Sequence, residues 1–293
     1  LVFFDIKMTQ RHPLWEEDGE FLPTKKTYLC PIMYTLTDTH THIYYQTDRA
    51  KRDEQLQNCL AWNVRRLFLP NVDTESIAAV FDMAAAYPEH CFPMLGLHPC
   101  SVKEDYKQQL RVIESALADR KVYAIGEIGL DLYWDKSTLE MQKDAFRRQV
   151  GWAKDLRLPI DIHCREAFAD LFELLDELRD DGLFGILHCF TGTLEQAKRA
   201  IDLGFALGIG GVVTYKKSGL DAVVREIDLR HIVLETDAPY LAPVPFRGKE
   251  NQSAYLHYVA EKVAELHGIS IAELANITTE NAKRVFGAAS SGL

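Results

Sequence analysis

Eight short apolar runs recur along this chain at intervals, and the stretches between them carry helical periodicity. The runs are about 34–40, Arg65–Pro70, Cys91–His98, Val122–Glu127, Pro159–His163, Phe184–His188, Phe205–Ile209 and His231–Asp237. Periodicity alone does not tell a short buried strand from a helical segment. Their regular alternation with longer amphipathic stretches decides for repeated βα units. Ser137–Leu156 shows this most plainly, with Leu139, Met141, Ala145, Phe146, Val150, Trp152, Ala153 and Leu156 mostly three or four residues apart. Ala167–Leu178 and Leu194–Leu203 read the same way, and Tyr255–Leu266 and Ile271–Phe286 read as two closing helices. Ser270, with Glu273 three residues on, fits a helix N-cap. Eight such units predict an α/β fold, a (β/α)8 barrel, over residues 34–287. A chain of 293 residues, 47% hydrophobic, is long enough for it, since such barrels commonly take about 250 residues.

Residues 1–33 stand outside this pattern, with Pro13, Pro23, Pro31 and scattered aromatics, and are expected to form an N-terminal extension. Residues 288–293 are expected to be a frayed tail. The formal net charge of -10 argues against a broad basic surface for long duplex nucleic acid. It leaves room for a small phosphate-bearing substrate, because bound metal ions supply local positive charge. No run reaches the roughly 18 uninterrupted apolar residues of a membrane span, and no secretory signal is evident. The six cysteines form no CxxC pair and no small disulfide framework. Reduced thiols and a cytoplasmic location are therefore expected.

In a parallel barrel the carboxyl ends of all strands meet at one face. Six potential metal ligands sit at the ends of the apolar runs: His40, His42, Glu127, His163, His188 and Asp237. His40 and His42 are two apart, so strand alternation puts them on one face together with Asp38. Two buried imidazoles need metal or hydrogen bonds, and an HxH pair alone is compatible with either. Four histidines at strand ends, with two carboxylates, favour metal and point to a metal-dependent hydrolase. Glu127 has two oxygens and could bridge two ions about 3.5–4 Å apart. Asp237 could bind metal and orient or deprotonate an attacking water, and Glu235 could fix a histidine tautomer from behind. The same alternation sends Cys164 and Cys189 away from the site, towards the helices. His98, Arg165, Arg247 and Lys249 are candidates for contact with substrate, Arg being suited to bidentate contact with phosphate. Gly204, Gly208, Gly210 and Gly211 do not have the spacing of a phosphate-binding loop.

These motifs resemble the TatD family of metal-dependent deoxyribonucleases. The similar stretches are Asp38-Thr-His-Thr-His42, Gly96-Leu-His-Pro99, Gly126-Glu-Ile-Gly-Leu-Asp131, Ile162-His-Cys-Arg165, His188-Cys-Phe-Thr-Gly192, Glu235-Thr-Asp-Ala-Pro-Tyr240 and Arg247-Gly-Lys249 with Asn251. They occur in the family's order, from about residue 36 to residue 287. The resemblance implies an amidohydrolase-type barrel that hydrolyses DNA phosphodiester bonds, often 3′-to-5′ from a single-stranded end, with two divalent metal ions (Mg²⁺, Mn²⁺ or Zn²⁺). Carried over by motif, His40, His42, Glu127 and Asp237 would hold one metal, and Glu127, His163 and His188 the other. His98 and Arg165 would contact phosphate. Ser253 stands where a Pro is common in the family, Phe246 where a polar or ring residue often precedes the Arg, and residues 1–33 have no counterpart. A metal hydrolase of the same fold acting on a C–N, lactone or aminoacyl ester bond is the alternative, although such barrels often bridge their metals with a modified Lys. A third alternative is a metal-stabilised barrel that binds a partner through residues 1–33.

Overall fold

The computed structural model describes residues 34–287. The extension expected at 1–33 and the tail expected at 288–293 lie outside the described residues. Eight parallel strands alternate with helices: β1 Leu36–Asp38, α1 Arg49–Ala61, β2 Val64–Pro70, α2 Ile77–Ala86, β3 Cys91–Met94, α3 Tyr106–Asp119, β4 Ile125–Asp131 and α4 Leu139–Leu156. The second half runs β5 Ile160–Arg165, α5 Phe168–Leu178, β6 Gly185–Leu187, α6 Leu194–Asp202, β7 Phe205–Ile209, α7 Leu220–Glu226, β8 Ile232–Leu234, α8 Leu256–His267 and α9 Ile271–Phe286.

The strands pair in sequence order, β1-β2-β3 and β4-β5-β6-β7-β8. A parallel bridge between Leu95 and Ile125 joins the two sets. At the other seam the Thr39 N–H donates to Leu234 O (3.0 Å) and the Asp237 N–H to His40 O (2.9 Å). The ring is therefore closed as a (β/α)8 barrel. The last helix staples this seam. Thr279 Oγ1 donates to Thr35 O (2.9 Å), and Asn281 Nδ2 donates to Leu229 O (2.6 Å) and Ile232 O (2.7 Å).

Most of the core lies between strands and helices, as the amphipathic periods require. A smaller cluster gathers Phe68, Phe92, Met94, Ile186 and Val233 from the strands with Ala282 and Phe286 from α9. The Phe286 ring stacks on Phe68 at 3.7 Å between centroids, filling the interior beneath the histidines. The expected caps form: Ser270 accepts from the Glu273 N–H (3.2 Å), and Thr193 and Gln196 make a reciprocal capping box at α6.

The strand limits differ from expectation in ways that matter for the site. β1 stops at Asp38 and β8 at Leu234, so His40, His42, Glu235 and Asp237 all lie beyond their strands. β3 ends at Met94, which leaves His98 on a loop. β4 is displaced the other way, from the expected 122–127 to Ile125–Asp131, so Glu127 sits inside a strand. A register shift between Ile125 and Ile128 bulges that strand at Glu127, and bulges re-aim side chains.

Candidate metal centre

The six carboxyl-end ligand candidates do converge. Donor atoms of His40, His42 and Asp237 lie within 4.8 Å of one another, as do those of His40, Glu127 and His188 and those of His98, Glu127 and His163. Glu127 stands between the groups, and its two oxygens face different ways. Oε2 is 3.4 Å from His40 Nε2 and 3.7 Å from His42 Nε2. Oε1 is 2.9 Å from both His163 Nδ1 and His188 Nε2. Asp237 Oδ1 joins the first group, 3.7 Å from His40 Nε2 and 3.5 Å from His42 Nε2.

The hydrogen bonds on the outer side of each ring define which nitrogen lone pairs point inward. His40 Nδ1 donates to Asp161 Oδ2 (2.7 Å), which leaves the Nε2 lone pair free. Tyr44 donates its own hydrogen to Pro70 O (2.7 Å), so it accepts from His42 Nδ1 (2.9 Å), and His42 Nε2 is likewise a lone pair. His163 Nε2 donates to Asp131 Oδ2 (3.0 Å), turning Nδ1 inward as the acceptor. His188 Nδ1 faces Glu235 Oε1 at 3.6 Å, and its Nε2 points inward. With neutral imidazoles, two pairs of lone pairs would confront each other: His40 Nε2 and His42 Nε2 at 3.2 Å, and His163 Nδ1 and His188 Nε2 at 3.4 Å. Facing lone pairs repel, so each pair calls for a proton or a metal ion between its members. Imidazoles tied from behind by carboxylate or hydroxyl are how proteins present metal ligands. The residues thus fit a divalent metal at each group.

His98 behaves differently. Its Nδ1 accepts the Cys100 N–H (3.0 Å), so Nε2 carries the hydrogen and donates towards Glu127 Oε1 (3.2 Å). It is a hydrogen-bond donor at the edge of the centre rather than a ligand.

Charge balance supports the same reading. Glu127, Asp131, Asp161 and Glu235 are all at most 3% exposed, and with Asp237 their only ion-pair partners among the described residues are histidines. Burial and the adjacent His188 push the His40 pKa down, but Asp161 and Glu127 outweigh both and raise it to about 10. Burial likewise opposes charge on Glu127, yet His98, His188 and His40 hold its pKa well below the usual carboxylate range. The cluster holds positive charge in place, as protons on histidines or as metal that displaces them. Asp38 is separate: it accepts from the Thr236 N–H (2.9 Å) and hydroxyl (2.6 Å), tying β1 to the segment after β8. Burial pushes its pKa up to about 7.

Above the centre lies a cleft of about 660 Å³, lined by His42, Tyr45, His98, Glu127, Trp134, His163, Arg165, His188, Asp237 and Tyr240 among others. The exposed guanidinium of Arg165 packs 3.7 Å from the Tyr133 ring centroid. Arg247 and Lys249 are exposed and do not line this cleft; Arg247 instead lies over the Tyr215 ring, 4.4 Å from its centroid. Cys164 packs against the core as expected but also borders the cleft, as does Cys189. Cys189 lies past the end of β6 with φ +45°, where strand alternation no longer applies.

Asp161, Asp131 and Tyr44, which orient three of the histidines, were not singled out from the sequence. Each had a signal: Asp161 is two residues before His163 on one strand, Tyr44 is two after His42, and Asp131 closes the Glu127 motif. Gln142 and Gln149 were hidden on a helix that reads as amphipathic. They are buried and accept the backbone N–H groups of Asp131 (2.9 Å) and Leu97 (2.6 Å). Two of the glycines, Gly208 and Gly211, resolve as close approaches. A Cβ on Gly208 would lie 2.1 Å from Glu235 Oε2, and one on Gly211 would lie 2.1 Å from Leu241 O.

A parallel barrel whose strand ends gather inward-facing imidazoles around a shared carboxylate defines a metal-dependent hydrolase. The chain belongs to the family of TatD related DNases, which matches residues 37–287. It is 40% identical over 252 residues to the uncharacterized metal-dependent hydrolase YabD of Bacillus subtilis, covering 86% of this chain and 98% of that protein. It is 34% identical over 229 residues to the 3′-5′ ssDNA/RNA exonuclease TatD of Yersinia pseudotuberculosis, covering 75% and 87% of the two chains. Among solved structures it is similar to YjjV, a TatD homolog from Escherichia coli, with a TM-score of 0.82 and 30% identity over 87% of this chain and 99% of that one.

Proposed function

We propose that this protein is a 3′-to-5′ exonuclease on single-stranded DNA ends, working with two divalent metal ions, Mg²⁺, Mn²⁺ or Zn²⁺. The observation that carries the reading is the division of Glu127, one oxygen towards His40 and His42 and the other towards His163 and His188. One metal would be held by His40, His42, Asp237 and Glu127, the other by Glu127, His163 and His188. Bound there, the metals would lower the pKa of water and withdraw charge from phosphoryl oxygens.

The chain's own groups supply the rest. Asp237, 14% exposed at the cleft floor, positions the attacking water and accepts its proton. His98 Nε2–H and the Arg165 guanidinium, both lining the cleft, donate to the phosphate as charge builds on it. Glu235 orients His188 from behind. Arg247 and Lys249, on the exposed loop, would meet phosphates further along the strand. A cleft of about 660 Å³ admits a nucleotide or two, in the range of small-ligand sites, and an unpaired end enters it without opening a duplex. The Yersinia relative, named a 3′-5′ ssDNA/RNA exonuclease, supports this substrate class. The five described cysteines are all free, in keeping with a cytoplasmic site of action. No helix of the described residues is long and apolar enough to cross a membrane.

The test is digestion of 3′-labelled and 5′-labelled single-stranded DNA with Mg²⁺ or Mn²⁺, and with chelator, beside a His163→Ala control. Stepwise metal-dependent shortening from the 3′ end, lost in the variant, is expected. No cleavage with any metal would refute the nuclease reading and redirect the search to C–N, lactone and aminoacyl ester substrates.

A further inference from the structure

Among the described residues, five of the eight large apolar side chains left exposed gather at one place. Tyr45 (40% exposed), Trp134 (72%), Tyr240 (53%) and Leu241 (41%) all line the catalytic cleft, and Tyr133 (48%) adjoins Trp134. Exposed apolar side chains are ordinarily scattered, and their clustering at a cleft marks a contact surface. These stand on two sides. Tyr133 and Trp134 follow β4, whereas Tyr45 follows β1 and Tyr240 follows β8. In a closed ring of eight strands, β4 lies across the barrel from the β8–β1 seam.

Each side forms an aromatic wall. Tyr133 and Trp134 pack edge to face with centroids 4.8 Å apart, and the Arg165 guanidinium lies 3.7 Å and 5.6 Å from their centroids. Across the cleft, Tyr45 stacks on His42 at 5.2 Å with planes 11° apart, and Tyr240 meets the same imidazole edge-on at 6.2 Å. Between the walls lies the carboxylate-rich floor where phosphate chemistry would occur. Planar apolar faces flanking a phosphate position match an unpaired nucleobase, whose faces are free to stack, and not a base already stacked within a duplex.

We propose that these two walls clamp the nucleobases flanking the scissile phosphate, with Trp134 as the main stacking platform, and that this clamp selects single-stranded ends. The proposal rests on the nuclease reading above. Trp134 is mostly exposed, so its removal should leave the fold intact.

The test compares a single-stranded oligodeoxynucleotide with one whose last two 3′ residues are abasic, for the parent, Trp134→Ala and Trp134→Phe, with Mn²⁺. Trp134→Ala is expected to raise KM on the intact strand about tenfold with little change in kcat, a stacking contribution of about 1.4 kcal/mol. Abasic ends should cost the parent at least that factor, because both walls lose a base, the two changes together should cost no more than the abasic ends alone, and Trp134→Phe should recover most of the loss caused by Trp134→Ala. An unchanged KM for Trp134→Ala, or penalties that multiply independently, would overturn the clamp while leaving the nuclease intact. Failure of the parent to cut the intact strand would remove the nuclease reading, and the clamp with it.

Discussion

Gly208 offers a sharp test of how the centre is supported. Its φ lies outside the left-handed region, so alanine is acceptable to the backbone, and space alone decides the outcome. A Cβ there would sit 2.1 Å from Glu235 Oε2, 2.8 Å from Glu235 Cδ and 3.0 Å from His188 Cα. An ordinary C···O contact is about 3.3 Å, so the Glu235 carboxylate must retreat by about 1.2 Å. It has nowhere to go, being wholly buried with Oε1 held by the Cys189 N–H. Overpacking of this kind costs about 1–3 kcal/mol, or a fall of about 3–10 °C in melting midpoint for a domain of this size. The displaced carboxylate also loses its position beside His188 Nδ1, so metal affinity should drop about 10- to 100-fold. Thermal unfolding by circular dichroism in chelator gives the first quantity, and calorimetric titration with Mn²⁺ or Zn²⁺ gives the second. In a Glu235→Ala background the cost of Gly208→Ala should shrink clearly, because the carboxylate atoms are gone and only the 3.0 Å contact with His188 Cα remains. A Gly208→Ala protein that melts within about 1 °C of the parent and binds metal equally well would refute the argument.

Three further outcomes follow from the geometry. Glu127→Gln removes an anionic ligand from both groups at once, so titration should show weakened binding of two ions rather than one; loss confined to a single ion would contradict the bridging role. Metal binding to the parent should release protons, seen as a dependence of the calorimetric enthalpy on the buffer's ionisation heat, because Asp161 and Glu127 hold a proton on His40 until metal replaces it. Burial pushes the Asp131 pKa up, but the His163 hydrogen bond and the Tyr133 and Trp134 N–H groups outweigh it and hold it at about 2. A depressed folded pKa stabilises above the unfolded value near 3.9 and loses that contribution as pH falls through about 2. The stability gap between the parent and Asp131→Asn should therefore be full above about pH 4 and close by about pH 2, and a gap independent of pH would show that the carboxylate's charge is not what stabilises.

The repeated βα units and the six converging side chains were legible because both are local signals. A strand shows as an apolar run, and a barrel brings every run's end to one face. What the sequence hid depends on backbone paths beyond the strands. Alternation pairs His40 with His42, yet both lie past β1, and Glu235 and Asp237 likewise lie past β8. Asp237 has φ +54°, and it reaches His40 and His42 through a turn rather than along a pleat. Cys189 was misdirected by the same extrapolation. The difference between His98 and the other histidines was also out of reach, since it rests on a single backbone N–H from Cys100.

The dependence of the β8–β1 seam on α9 bears on how the chain is made. Thr279 and Asn281 hold the two edges, and Phe286 completes the interior, so these contacts are available only once the ribosome has passed the last helix. At about 5–20 residues per second, β1 would wait on the order of ten seconds or more as an unpaired edge. An edge strand in that state is a template for association with other chains. Nascent copies of this barrel should therefore depend on chaperone holding until α9 has been made, and should not fold unit by unit.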